Sequence, residues 1–492
     1  HSLPGLMAAM SRGEVSSFPA LRPHQRPSWH MFLVQLAVMT LARAEHDDVL
    51  KDETKWATAF RGFTQGYDQD EPWRLVVEDR SKPAFLQPSD PGDLNWPKDK
   101  VSITPDELDM IITSRNHDLK TRVAREARPQ DWIYALVSLQ TMEGYGGRGN
   151  YGIARMKDGN SSRPMLTLAP LKDASSTIHA SHWWLRDVYR LIEKGQTKKG
   201  ISLLWLEPWP EKQQISVEIL DPHFIEICRR VRLAKSNGAL MAEHANSMLP
   251  RIRAKELKGM ASSSREPWAP VSIREKEMLK LGERGWDYKL LFDLFYSANY
   301  EKPILALPAE SEKSATMALV AEAFSRGKCK TNGFKSRIVV IPMRVMNRLF
   351  ETEALDVAEQ LIKDINEVDS ALRNGLARVY WSAKNKQQRK KLNKNDYKRT
   401  NSASKRFERY ANQHFFDALF QRLQTNDSEK DIQCRLCFLQ NLSKTAEEEF
   451  ENELPAIPCT SIMRPRAEFR GWQAIRYRLR KICAQINPEK VQ

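Results

Sequence analysis

The chain is short of glycine, with 21 in 492 residues, and short of cysteine, with six. So few thiols (Cys228, Cys329, Cys434, Cys437, Cys459 and Cys483) exclude a disulfide scaffold and point to a reducing cytoplasm. Cys434 and Cys437 form a lone C-x-x-C with no second pair, which reads as core thiols before zinc. No apolar run is long enough to span a bilayer, since the longest, Met31 to Ala42, falls well under the roughly 20 residues required. No signal peptide precedes that run, and a first residue of His suggests a trimmed terminus. Kinase signatures, a P-loop lysine, a nucleophile elbow and an acid/base carboxylate pair are all missing, and no internal repeat is visible.

What is present is positive charge: 77 Lys and Arg against 62 Asp and Glu, a formal net of +15. That balance favours nucleic acid or another polyanion, and 41% hydrophobic residues suffice for two to four domains of about 150 residues each.

The scarce glycines cluster. Met142 to Arg155, MEGYGGRGNYGIAR, holds five within nine residues, and Gly144, Gly146 and Gly149 satisfy G-x-G-x-x-G. A dinucleotide site needs that motif between a strand and a helix. Here the order is reversed, because Asp131 to Met142 has helical periodicity with Asp131 placed to cap it, and Tyr151 to Met156 reads as a short strand. A cofactor is therefore not expected. A plain loop and a backbone-lined surface bearing Arg148 and Asn150, suited to a flat polyanion, both remain.

The pattern predicts an α+β protein, a large irregular mixed N-terminal domain over residues 1–342 followed by a C-terminal four-helix bundle over 343–492. Helical rhythm covers Leu3 to Ala44 and Trp56 to Phe63. Strands are expected at Pro72–Glu78, Pro83–Gln87, Ile201–Trp205, Ile215–Leu220 and Arg337–Ile341, and helices at Ile178–Glu193 and Ala315–Phe324. Past Pro342, four apolar faces follow: Leu355 to Val379; Phe407 to Leu423; Ile432, Leu436, Leu439 and Leu442; and Phe469, Trp472, Ile475, Leu479 and Ile482.

Three further segments are rich in donors. Arg115, Asn116, His117, Leu119 and Lys120 lie in a polar loop, Ser114 to Arg128, suited to phosphates and base edges or simply exposed. Asn332-Gly333 reads as a two-residue hairpin turn ringed by Lys328, Lys330, Lys335 and Arg337, either an ordinary hairpin or a tip that wedges a duplex. Lys386, Arg389, Lys390, Lys391, Lys394, Lys398 and Arg399 form a dense run between the first two bundle helices, a solvated connector or a phosphate-binding patch. An alternative reading is an HD-type metal-dependent phosphohydrolase or nuclease, using His46-Asp47 or His117-Asp118; His179 and His182 lack a carboxylate at metalloprotease spacing.

Several stretches together resemble the CasA family, the large subunit of the type I-E CRISPR surveillance complex Cascade. They are Leu3 to Val15, Phe18 to Gln25, Asn116-His117-Asp118, the glycine loop, and Leu204-Trp205-Leu206-Glu207-Pro208-Trp209, and the likeness of order spans nearly the whole chain. The resemblance implies a cytoplasmic, non-catalytic, cofactor-free subunit that reads the protospacer-adjacent motif (PAM) of double-stranded DNA from the minor groove. It would also promote duplex opening and R-loop formation and help position the effector nuclease. Partners implied are the DNA target, the guide RNA and the backbone, small and handle-binding subunits, with no membrane. Carried onto this sequence, Gly144, Tyr145, Gly146, Gly147, Arg148, Gly149 and Asn150 would lie against PAM base pairs, and Lys255 or Lys258 would enter the same groove. Lys328, Lys330, Thr331, Asn332, Gly333 and Phe334 would form the wedge, where Thr331-Asn332 stands in place of the family's glutamine. Arg115 to Lys120 would meet the guide handle and a neighbouring subunit. The bundle, with its basic run, would meet the small subunits and the non-target strand.

Overall fold

A computed structural model describes residues 1–90, 92, 94–110, 127–156, 163–171, 177–193, 195, 200–236, 238–253, 266–327, 330–383, 392 and 394–486. The chain divides into two compact units, His1–Trp286 with Ser297–Val340, and Asp287–Tyr296 with the residues from Ile341 onward. It is a mixed helix and strand fold with a C-terminal helical region.

In the first unit the longer helices are α1 (Leu3–Ser11), α2 (Arg26–Arg43), α3 (Glu53–Arg61), α4 (Pro129–Met142) and α5 (Ala180–Ile192). Ser2 caps α1 by accepting from the Gly5 amide at 3.0 Å, and Asp52 caps α3 by accepting from Thr54 and Lys55 at 2.9 and 3.1 Å. The helical rhythm from Leu3 to Ala44 is thus two helices, broken where Gly13 takes φ +76°. α2 is buried from Pro27 through Leu41, so it is the central rod of the core. Around it lie six fully enclosed tryptophans: Trp56, Trp132, Trp184, Trp205, Trp209 and Trp268.

Strands are short. β1 (Val101–Ser102), β6 (Arg230–Ser236) and β7 (Ala239–Ala245) form one antiparallel sheet in the order β1-β7-β6. β2 (Met165–Pro170), β11 (Met317–Gly327) and β12 (Lys330–Ile341) form a second, β12-β11-β2, with Met317 opposite Pro170 and Glu322 opposite Met165. β3 (Ile201–Leu203) pairs with β5 (Leu220–Ile225), β4 (Ile215–Ser216) with β8 (Ile252–Arg253), and β9 (Val271–Ser272) with β10 (Tyr300–Glu301).

Some local expectations fail for identifiable reasons. Ala315–Phe324 is strand and not helix: its Ala, Leu and Glu favour a helix, but pairing along β2 outweighs that preference. Pro72–Glu78 and Pro83–Gln87 are irregular, with a 3-10 turn at Glu71–Trp73 and a single Ala84–Gln87 bridge, because their buried side chains are held by turns. Tyr151–Met156 is likewise irregular, its Ile153 amide donating to Glu143 at 2.9 Å. Ile201–Trp205 and Ile215–Leu220 are extended only at Ile201–Leu203, Ile215–Ser216 and Leu220, with 3-10 turns at Leu204–Leu206 and Val217–Ile219.

The second unit is a bundle of α7 (Thr352–Ala383), α8 (Asn401–Gln424), α9 (Ser428–Glu453) and α10 (Arg464–Ala484), joined by α6 (Tyr288–Tyr296), whose Tyr288 ring stacks on Phe415 at 4.6 Å. That helix lies before residue 342, inside the stretch that the sequence assigns to the mixed domain. The apolar faces of α7 and α8 are buried, whereas Ile432 on α9 and Phe469 on α10 are exposed. α10 turns inward Ile475 and Leu479 as the spacing predicts, with Ala467 and Gly471 in place of Phe469, because Gly471 lets it lie against the backbone of Gly375 on α7.

Candidate nucleic-acid interface

The glycine loop leaves the C-terminal end of α4 and folds into one tight turn. Asn150 donates its amide to the Gly147 carbonyl at 2.9 Å, and Gly146 donates to Asn150 at 2.9 Å. Gly147 and Gly149 hold φ of +127° and +85°, backbone that side chains rarely adopt. Gly149 is also crowded by the chain itself, since a Cβ there would lie 2.9 Å from Asn246, and its carbonyl accepts from the Ser247 amide at 2.9 Å. Those two glycines are accounted for internally. Gly146 is not: it is exposed, its φ is ordinary, and a Cβ would meet only normal contacts. Arg148 and Asn150 beside it are exposed.

The base under the loop is rigid and charged. Arg229, nearly buried, donates to the Gly144 carbonyl at 2.8 Å, and Gln140 of α4 accepts from the Arg229 amide at 2.8 Å. Glu226 accepts from the Ala154 amide. Arg155 donates to Glu266 at 3.2 Å, and Arg163 grips the same carboxylate through two bonds of 2.8 and 3.0 Å. Arg155 lies over the Phe224 ring at 3.9 Å, and Gln35 ties α2 to the carbonyls of His223 and Phe224, at 3.0 Å each. Burial pushes Glu226 up to about 6; burial and the Arg155 charge push His223 down to about 4. Cys228 is also enclosed and raised to about 11 by burial, a thiol without reactivity.

The same base anchors both ends of the lysine segment. Tyr151 donates to the Met248 carbonyl at 3.0 Å, and Arg251 and Arg230 flank the buried Trp209 at 5.2 and 4.4 Å, fixing the chain as it enters Ile252-Arg253. It returns at Glu266, held by Arg155 and Arg163. Lys255 and Lys258 lie between, outside the described residues.

β11 ends at Gly327 and β12 begins at Lys330, so Asn332-Gly333 lies within β12 and is not the turn. Gly333 uses its freedom within β12, at φ +101°, and Phe334 packs edge-on against Phe324 at 5.5 Å. The Asn-Gly signal marked a positive φ correctly but inside a strand. Lys328 is outside the described residues, and Lys330 and Thr331 are placed by backbone only. The expected handle loop, Arg115, Asn116, His117, Leu119 and Lys120, also lies outside them, as do Lys386, Arg389, Lys390 and Lys391. Lys394, Lys398 and Arg399 are exposed. His179 and His182 stack on each other at 4.0 Å, and among the described residues no group of three His, Cys, Asp or Glu could hold a metal. No helix among them is long and apolar enough to cross a membrane.

Sequence reading missed the residues that hold the loop: Arg229, Glu226, Asn246 and Glu266. The available signal was Arg229-Arg230-Val231-Arg232, a cluster of arginines at the start of β6 alternating with the apolar Val231 and Leu233.

No protein-family model matches the sequence, and no curated protein matches it. Solved structures do match in shape. Cse1 from Acidimicrobium ferrooxidans superposes with a TM-score of 0.63 at 15% identity, covering 100% of this chain and 95% of that one. CasA from Thermus thermophilus gives 0.61 at 13%, covering 93% and 91%. Thermobifida fusca Cse1 gives 0.58 at 12%, covering 95% and 90%. From end to end, the chain has the CasA/Cse1 fold.

Proposed function

We propose that this chain is a CasA-type large subunit of a CRISPR Cascade ribonucleoprotein, and that its glycine loop reads duplex DNA beside the target. The observation that carries the reading is Gly146: an exposed glycine for which the chain's own geometry gives no reason, flanked by Arg148 and Asn150. Bare backbone can approach a groove floor where a side chain would stand off, and minor-groove readout is degenerate enough for a short permissive signal. Arg148 would hold a phosphate and Asn150 a base edge. Lys255 or Lys258 enters from the anchored segment alongside, and the β11–β12 hairpin splits the first pairs. Sequence recognition belongs to the guide RNA, and cutting to a recruited nuclease. The whole-length likeness to Cse1 structures supports assembly with the other subunits.

The test is reconstitution with partner subunits and guide. Gly146→Leu is expected to leave assembly on RNA intact and to lower duplex-target affinity at least tenfold. Wild-type affinity in that variant would remove the loop from the reader.

A further inference from the structure

We infer that Met248 and Leu249, at the tip of the β7–β8 connection, press into the DNA minor groove beside the glycine loop and make the deformability of a base step part of what is read. The two side chains are consecutive and are 54% and 39% exposed. Scattered apolar residues on a surface need no explanation, but this tip is held from both sides. On one side the Ser247 amide donates to the Gly149 carbonyl at 2.9 Å, and the Tyr151 hydroxyl donates to the Met248 carbonyl at 3.0 Å. On the other, the Gln214 side chain donates to the Pro250 carbonyl at 2.9 Å, and Arg251 donates to the carbonyls of Glu207 and Pro208, at 2.9 Å each. The backbone is thus fixed around two side chains that the fold leaves exposed, and it is fixed to the glycine turn itself. A surface laid on Gly146 meets this tip as well.

Charge selects the occupant. The chain entering β1 runs beside the end of β7, where the His244 amide donates to the Lys100 carbonyl at 3.0 Å. Lys98 and Lys100 are exposed there, with Asp99 between them, and neither ammonium has a partner among the described residues. Arg148 is exposed on the glycine turn. An apolar point bordered by cations suits a duplex, whose groove walls are sugar C–H groups and whose rails are phosphates; an apolar patch on a protein offers the lysines nothing. B-form DNA is favoured over A-form RNA, whose minor groove is shallow and lined with 2′-hydroxyls that an apolar tip would strip of water. Met and Leu are among the side chains that minor-groove proteins push between base steps, bending the duplex toward the major groove. Bending is easiest at pyrimidine–purine steps, so the tip adds a sequence preference that no hydrogen bond supplies. This placement rests on the proposed reading of duplex DNA by the glycine loop.

The experiment uses the complex reconstituted with partner subunits and guide, and a duplex library carrying the matched target between randomised flanks; affinities are measured and bound duplexes sequenced. Met248→Ser/Leu249→Ser is expected to assemble, to keep the wild-type melting temperature, to bind about fivefold more weakly, and to lose the wild-type enrichment of a pyrimidine–purine step in the flank. Met248→Leu/Leu249→Met keeps the apolar bulk and is expected to keep both properties. Lys98→Ala/Lys100→Ala is expected to lower the salt slope of binding by about 2. Wild-type binding and selection by the serine variant, with Gly146→Leu impaired, overturns the tip's role and leaves the glycine loop as reader. Wild-type binding by the serine variant and by Gly146→Leu alike overturns the glycine-loop reading and the tip with it. Failure of the serine variant to join the complex makes the tip a subunit contact and overturns the inference, and an unchanged salt slope in the lysine variant overturns DNA as the occupant.

Discussion

Gly149 and Asn246 stand so close that a Cβ on the glycine would lie 2.9 Å from both Cβ and Cγ of the asparagine. That contact, with φ +85°, makes Gly149 a structural glycine, whereas Gly146 has room for a methyl group at 3.5 Å from Arg229 and 3.6 Å from Asn150. The two alanine variants should therefore separate. Gly149→Ala is expected to cost about 1–3 kcal/mol and to displace the turn, because left-handed backbone and overpacking add. Gly146→Ala is expected to leave thermal unfolding unchanged and to weaken duplex binding by the assembled complex severalfold. Thermal shift and electrophoretic titration read both effects, and a Gly146→Ala variant that binds duplex normally shows that bare backbone is not the contact.

Arg229 joins the loop to the sheet beneath it. Its guanidinium donates to the Gly144 carbonyl from a position only 8% exposed, with a further 3.4 Å contact to the Cys228 carbonyl. Arg229→Met keeps the apolar stem and removes the donors, leaving the Gly144 carbonyl without that partner at a cost of about 1–3 kcal/mol. The expected signature is faster amide exchange over residues 144–150 with β6 and β7 protected as in the wild type. Equal loss of protection in the strands would mean that Arg229 stabilises the sheet and does not specifically position the loop.

How much was legible follows from which contacts are local. The burial of α7 and α8 could be read from apolar spacing, since each helix has one apolar face. α10 was legible in part: Ile475 and Leu479 are buried as their spacing implies, but Phe469 is exposed, because the Gly375–Gly471 approach brings Ala467 and Gly471 to the packed side. In the glycine run, the turn and the exposed Arg148 were visible in the sequence, while the partners that hold it were not: Arg229 is 85 residues from Gly144, and Tyr151 reaches Met248 across 97. Of the hairpin only the returning strand was visible: its first strand reads as a helix over Ala315–Phe324, and Asn332-Gly333 was mistaken for the turn because Asn-Gly fits both a turn and a kink within a strand, and neighbouring residues choose.

Gly471 tests the bundle. A Cβ there would lie 2.3 Å from Val379 Cγ2 and 2.8 Å from Phe450 Cζ, so α10 must move away from α7 and α9 together. Gly471→Ala is expected to destabilise the bundle by about 1–3 kcal/mol despite the higher helix propensity of alanine, which by itself favours the variant by about 1 kcal/mol. Gln473→Ala, two residues on and exposed, should change stability by less than about 0.5 kcal/mol. Urea midpoints of the helical signal decide it; a Gly471→Ala midpoint at or above the wild type contradicts the close packing.

His223 and Glu226 give the layer beneath the glycine loop opposite responses to acid. Burial lowers His223 from 6.5 to about 4, with the Arg155 and Arg163 charges adding to that and Glu266 opposing it. The unfolded chain therefore binds the extra proton first: the stability that neutral His223 contributes is present above pH 6.5 and is lost toward pH 4, by about 1.4 kcal/mol per pH unit. Glu226, raised from 4.5 to about 6, works the other way, its contribution being present below 4.5 and lost as pH rises through about 6. In the wild type the two oppose each other between those values. His223→Gln removes the first and leaves the second, so the variant's deficit relative to wild type should shrink by roughly 2 kcal/mol between pH 6.5 and about pH 5. Urea unfolding of both proteins at several pH values measures that gap, and parallel curves across the range would show that His223 does not stay neutral in the folded chain.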